Sequence, residues 1–154
     1  MLFRSEIGRE VEPIDLASLC ATICEEFEDL GAQVTYHGPE RLILPAHYDP
    51  LRRAITNLVD NAVKYGGRAQ LSLSDGGEQV MIEVSDEGPG IPPGELERVQ
   101  LPFERSDAAR GDAHAGIGLG LSIARRAAEQ HGGMLQLRNR EPTGLSAALL
   151  IPRQ

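Results

Sequence analysis

Lysine is almost missing from this sequence: of 15 basic residues one, Lys64, is a lysine and the other fourteen are arginines. That scarcity excludes two common ways of holding a nucleotide. A P-loop needs Gly-Lys followed by Ser or Thr, whereas Lys64 follows Val63 and precedes Tyr65. The protein-kinase set needs a strand lysine and a His-Arg-Asp loop, and neither is present. Codon usage in an arginine-rich genome accounts for the fourteen; the single lysine marks a place where a compact point charge is wanted. Cysteine is scarce too. Cys20 and Cys24 are too few for a disulfide framework, and four apart on a helix they read as buried thiols suited to a reducing compartment. No charged leader with an apolar stretch opens the chain, and no apolar run approaches the roughly 20 residues of a membrane span. The chain therefore reads as soluble, with any membrane anchor outside it. Basic residues are outnumbered, 15 against 23 acidic, for a net charge of −8, which excludes the electrostatic footprint of a nucleic-acid-binding domain.

What is there is globular. The 154 residues are 41% hydrophobic and 25% charged, enough for one domain with a core and too short for two. Met1 to Glu12 read as the remnant of an upstream helix or linker, stopped by Pro13, and residues 13–154 as the domain. Asp15 precedes Leu16, Leu19, Cys20, Ile23, Phe27 and Leu30 at helical spacing, closed by Gly31. Strands are predicted at Gln33 to His37 and Arg41 to Leu44, and a second helix from an Asp49-Pro50 start to Gly66-Gly67. Ala69 to Ser74 and Val80 to Ser85 pair around Asp75-Gly76-Gly77, and a helical turn follows the glycine-proline loop near Glu95 to Val99. Leu101 to Gly120 lack periodicity and are long enough to suggest a functional loop. A third helix from about Leu119 to His131 and strands at Met134 to Leu137 and Leu145 to Ile151 complete the order, with His131 as a helix-end cap residue. Such an order predicts an α+β fold: one mixed, mainly antiparallel sheet covered on one face by three helices.

Three constellations carry chemistry. At about 100° per residue, Leu51, Ala54, Ile55, Leu58, Val59 and Ala62 share one arc of the second helix, and Asn57, Asn61 and Lys64 share the next. Carboxamide oxygens can ligate a hard cation such as Mg²⁺, and a lysine one turn on adds charge for the same polyphosphate; a solvated polar face is the alternative. Asp86-Glu87-Gly88-Pro89-Gly90-Ile91-Pro92 follows a strand, so an aspartate able to accept from an exocyclic amine sits beside glycines that admit a ligand; the alternative is an ordinary turn. Gly116-Ile117-Gly118-Leu119-Gly120-Leu121 opens a helix, where unpaired N–H groups suit an anion, or else a hinge. A dinucleotide fingerprint would need glycine at Leu121 and a preceding strand, so that class is excluded.

Taken in order, Asn57 to Gly66, Asp86 to Ile91, Pro102-Phe103-Glu104-Arg105 and Gly116 to Leu121 resemble the N, G1, F and G2 boxes of bacterial sensor histidine kinases. The resemblance is to the catalytic ATP-binding domain of the GHKL, or Bergerat, type; it runs from about Asp15 to the end and is nearest the osmolarity-sensor-like subgroup through Phe103 to Arg110. It implies a two-layer α/β sandwich binding ATP and Mg²⁺. Asn61 matches the Mg²⁺ asparagine, Asn57 the one a turn earlier, Lys64 a phosphate-contacting position and Tyr65 one beside the nucleoside. Asp86 matches the aspartate that reads the adenine amino group, Gly88, Gly90 and Ile91 the loop that admits the base, and Ser146 a residue joined to Asp86 through water. Phe103 would anchor a lid over residues 104–115, Arg105 and Arg110 would clamp phosphates, and Gly116, Gly118, Leu119, Gly120 and Leu121 would cap the triphosphate.

The same fold serves hydrolases of the gyrase, heat-shock and mismatch-repair type, in which the resemblance puts a water-activating glutamate where this chain has Asn57. A carboxamide cannot act as a general base, which favours transfer to an external acceptor over hydrolysis. Small anti-sigma-factor serine kinases usually carry that glutamate too; they, a related ATPase and a non-catalytic nucleotide-binding module are the alternatives. None of His37, His47, His114 and His131 sits in the family's acceptor motif. The expected partners are therefore ATP, a separate helical dimerisation domain bearing the phospho-accepting histidine, and a response regulator reached through it. The chain itself is expected to be a monomeric, cytoplasmic domain of a membrane-anchored sensor kinase.

Overall fold

The computed structural model describes residues 10–92 and 117–153, with only the backbone at 117–119. The sheet is built from β2 (Gln33–His37), β4 (Arg68–Asp75), β5 (Gln79–Ser85), β6 (Met134–Asn139) and β7 (Leu145–Pro152). Their order is β2-β4-β5-β7-β6, with β2 parallel to β4 and every other pair antiparallel. Three helices, α1 (Leu16–Asp29), α2 (Tyr48–Gly66) and α3 (Ile117–Gln130), complete the described part, so the mixed sheet and helical layer expected from the sequence are both present.

Alternation decides which face is covered. Val80, Ile82 and Val84 of β5 and Ala147, Leu149 and Ile151 of β7 are buried toward the helices. On α2, which packs against β4 and β5, Leu51, Ile55 and Val59 are fully buried, each contributing roughly 1.5–3 kcal/mol of burial. Cys20 and Cys24 are buried free thiols on α1, as their spacing indicated. Burial pushes the Cys20 thiol up to about 12 and the Cys24 thiol up to about 11.

The N-terminal segment departs from expectation. Val11 and Glu12 are not linker but the start of β1 (Val11–Asp15), antiparallel to β3 (Ile43–His47) in a separate two-stranded sheet. Pro13 does not end the segment. It stands opposite Pro45, and a two-stranded ribbon tolerates residues without an N–H. This pairing also moves the predicted Arg41–Leu44 strand later, to residues 43–47. Asp15 does cap α1: its Oδ1 accepts from the amides of Ala17 at 3.1 Å and Leu42 at 3.0 Å, joining the helix start to the ribbon.

Helix α2 begins one residue before the predicted cap. His47 holds the N-cap position without a side-chain bond, and Asp49-Pro50 lie in the first turn, where proline loses no helical hydrogen bond. His131 is more than a helix-end residue. Buried, its Nδ1–H donates to Ala127 O at 2.7 Å while Nε2 accepts from the His47 amide at 3.0 Å, tying the end of α3 to the start of α2. Both nitrogens are committed in the neutral tautomer, and burial lowers its pKa.

Candidate functional site

The polar arc of α2 opens onto a cleft at the edge of the core. Asn61 and Tyr65 line it together with Leu58, Ala62, Val84, Asp86, Pro89, Gly90, Ile91, Leu121, Leu145 and Ala147. It is tight, with about 20 Å³ open. Asn61 Nδ2 is buried there with no partner among the described residues. Asn57 lies one turn earlier, half-buried. Lys64 does not line the cleft: it is exposed and pairs with Asp60 at 3.1 Å one turn back.

Asp86 follows the end of β5, buried, and is the only carboxylate among the residues lining the cleft. Its Oδ1 accepts from Gly88 N at 2.8 Å and Leu145 N at 3.3 Å, which fixes the carboxyl group; Oδ2 has no partner among the described residues. Burial raises its pKa, opposed by those two amides and by Arg140. Gly88 is required by space: a Cβ there would stand 2.5 Å from Tyr65 O, so the loop lies directly against the end of α2. Ile91 is buried against the same cleft.

Asn139 and Arg140, which the sequence did not single out, hold this loop from behind together with Thr143. Asn139, at the end of β6, donates from Nδ2 to Ile91 O at 2.7 Å and accepts at Oδ1 from Ile91 N at 2.9 Å. Arg140 Nη1 donates to Asp86 O at 2.7 Å, and Thr143 Oγ1 to Glu87 O at 3.1 Å. The only sequence signal for them is their position at a hairpin, between a strand end and Thr143-Gly144.

Ser146 does not belong to the cleft. It pairs with Ser85 in register, so alternation turns its side chain to the face without helices, where its Oγ donates to a Glu83 carboxylate oxygen. The residue facing the cleft beside Asp86 is Leu145, so the expected water link between Ser146 and Asp86 is not supported. A wider hollow of about 600 Å³ also lies against the helix-free face, near Gln33, Thr35, Gln70 and Ser85. Its basic side chains are committed, Arg68 to Glu87 and Arg140 to Asp86 O, and it lacks the apolar walls that a base requires.

Helix α3 starts at Ile117, two residues before the predicted point, so Gly118, Leu119 and Gly120 form its first turn. Leu121 is buried in the cleft wall. Phe103, Arg105, Arg110, Gly116, the 104–115 lid and the Glu95–Val99 turn lie outside the described residues. No helix among the described residues is long and apolar enough to cross a membrane.

Comparison with known proteins matches residues 46–154 to the family described as Histidine kinase-, DNA gyrase B-, and HSP90-like ATPase. The sensor histidine kinase GtrS of Pseudomonas aeruginosa is 43% identical over 149 residues, 97% of this chain and 30% of that protein. The sensor protein SrrB of Staphylococcus aureus is 28% identical over 152 residues, 96% of this chain and 26% of that protein. The chain thus spans less than a third of these relatives. Among solved structures, the ATP binding domain of PrrB from Mycobacterium tuberculosis superposes with a TM-score of 0.78 at 27% identity, covering 94% of this chain and 98% of that one. The histidine kinase domain of the E. coli osmosensor EnvZ gives 0.71 at 32% identity, covering 93% and 89%.

Proposed function

Because the chain belongs to the histidine kinase-, DNA gyrase B- and HSP90-like ATPase family, and within it resembles sensor histidine kinases, we propose that it holds Mg·ATP and donates the γ-phosphoryl group to a histidine on a separate helical dimerisation domain. From that domain the phosphoryl group passes to a response regulator. The observation that carries this reading is Asp86, a buried carboxylate with one oxygen fixed by two amides and the other without a partner among the described residues.

Adenine presents an exocyclic amine where guanine presents a carbonyl, so an ionised Asp86 accepts from the first and repels the second. Asn61 would hold the Mg²⁺ through its amide oxygen, the hard donor that ion takes, leaving its buried Nδ2, unpartnered among the described residues, to donate to a phosphate oxygen. Bound there, the ion neutralises phosphate charge. Asn57 would reach its water shell, Lys64 would turn from Asp60 toward the phosphates, and Tyr65 would flank the nucleoside. The first-turn amides of α3 would add partial positive charge, with Arg105 and Arg110 closing from the lid.

Transfer rather than hydrolysis is supported by what the cleft lacks. Among the described residues its only carboxylate is Asp86, committed to the base, and Asn57 cannot take a proton from water. The chain's contribution is then positioning and charge neutralisation, the main requirements of phosphoryl transfer. Such a domain works where ATP is plentiful, on the cytoplasmic side of a membrane-anchored sensor. The test supplies γ-labelled ATP to the chain alone and with a separately purified helical domain carrying the acceptor histidine of the same kinase. Label should reach the helical domain and scarcely enter the chain itself. Near-stoichiometric label on the chain, or none on the helical domain despite ATP binding, would contradict the proposal.

A further inference from the structure

We infer that Asn139 is a positioning residue for base selection: it fixes the far end of the loop whose near end carries Asp86. The inference rests on the reading of Asp86 as the adenine contact and extends it to a residue outside the four boxes. Between Asp86 and Ile91 the loop contains two glycines, and Gly90 has φ +78. A segment with this freedom needs external restraint to hold one conformation. Its near end has several bonds: Asp86 N donates to Leu145 O at 3.0 Å, and Asp86 O accepts from Arg140. At the far end the carboxamide of Asn139 closes a two-bond ring with Ile91, donating to its carbonyl and accepting from its amide.

The fit is also steric. A Cβ on Gly90 would stand 2.5 Å from Asn139 Oδ1 and 3.1 Å from Gly144 O, so the loop rests directly on the amide and the hairpin. Ile91 is the loop's buried apolar contact with the cleft. Releasing it changes the cleft wall and the approach of the base to Asp86, while Asp86 keeps its own amide partners. The loss should therefore fall on discrimination between bases more than on binding of the phosphates. Among the described residues, the charged groups bonded to this loop are Arg140, which donates to Asp86 O, and Arg68, which pairs with Glu87.

Two substitutions and two nucleotides test the inference. Asn139→Ala should weaken Mg·ATP binding about tenfold, the effect of one lost buried hydrogen-bond pair, with little change for Mg·GTP, so that the ATP:GTP ratio falls by a similar factor. Hydrogen exchange at the Ile91 amide should accelerate in the same variant. Asn139→Asp is isosteric; its carboxylate accepts from Ile91 N but cannot donate to Ile91 O, whereas its protonated form does both. Its defect relative to the parent should therefore shrink as pH is lowered through the carboxylate range, toward about 4. A residue that only supports the fold would lower thermal stability and leave both the ratio and the relative pH profile unchanged; that result overturns the inference while adenine preference in the parent stands. A parent without preference for ATP over GTP would overturn the reading of Asp86 and this inference with it.

Discussion

Asn61 on α2 and Gly120 on α3 stand so close that a Cβ on Gly120 would lie 3.0 Å from Asn61 Nδ2, and the carboxamide would have to shift by a few tenths of an ångström. The glycine therefore serves close approach of the two helices. Gly120→Ala should set two effects in opposition. Alanine favours helix by up to about 1 kcal/mol, so the melting temperature should hold or rise by about 2 °C. The displaced carboxamide should weaken Mg·ATP binding about tenfold, or about 1.4 kcal/mol. Calorimetry with and without Mg²⁺ checks both; unchanged metal-dependent affinity would remove Asn61 from the metal site.

Asp86→Asn should separate stability from function. Burial raises the Asp86 pKa above its unfolded value, so the folded parent carries the cost of an ionised buried group fully above the folded pKa and not at all below the unfolded one. Asparagine carries none. The variant should match or exceed the parent in thermal stability at pH 7, with the difference vanishing as the pH falls through the carboxylate range, while ATP binding is lost. Melting curves between pH 3 and 7 in the absence of nucleotide measure the first part, and a variant less stable at pH 7 than at pH 3 relative to the parent would refute it.

Lys64 is held by Asp60 rather than by anything in the cleft. Nucleotide phosphates must therefore compete for it, and charge matters more than shape. Lys64→Arg should retain ATP affinity and Lys64→Ala should lose a few-fold, in a manner that disappears at high salt. Equal affinities for all three proteins would return the lone lysine to composition.

The thiols of Cys20 and Cys24 should be inert in the folded chain. Their raised pKa values keep them protonated at pH 8, and burial blocks reagents. A disulfide-exchange reagent should titrate neither thiol in buffer and both in denaturant; rapid reaction of either in buffer would mean that α1 opens locally.

What the sequence revealed depended on the range of the interaction. Periodicity was sufficient for α2, because burial of Leu51, Ile55 and Leu58 fixes which arc Asn61 occupies. Asp86 was legible as an acid between a strand and a glycine loop. Ser146 was not, because one residue of register decides its face, and register is set by pairing with β5. The strand β1 was missed for a related reason: its partner lies some thirty residues away, and Pro13, opposite Pro45, is acceptable because both strands are edges of a two-stranded ribbon. Asn139 escaped because its bonds to Ile91 span 48 positions with no local pattern to mark them.

The most direct test is a titration of Mg·ATP and Mg·GTP into the parent chain and into Asp86→Ala, with circular dichroism to verify folding. The parent should bind ATP and reject GTP, and the folded variant should lose that preference. A parent that binds neither nucleotide, or a variant that still prefers ATP as strongly as the parent does, would contradict the assignment of this cleft as an adenine-reading ATP site.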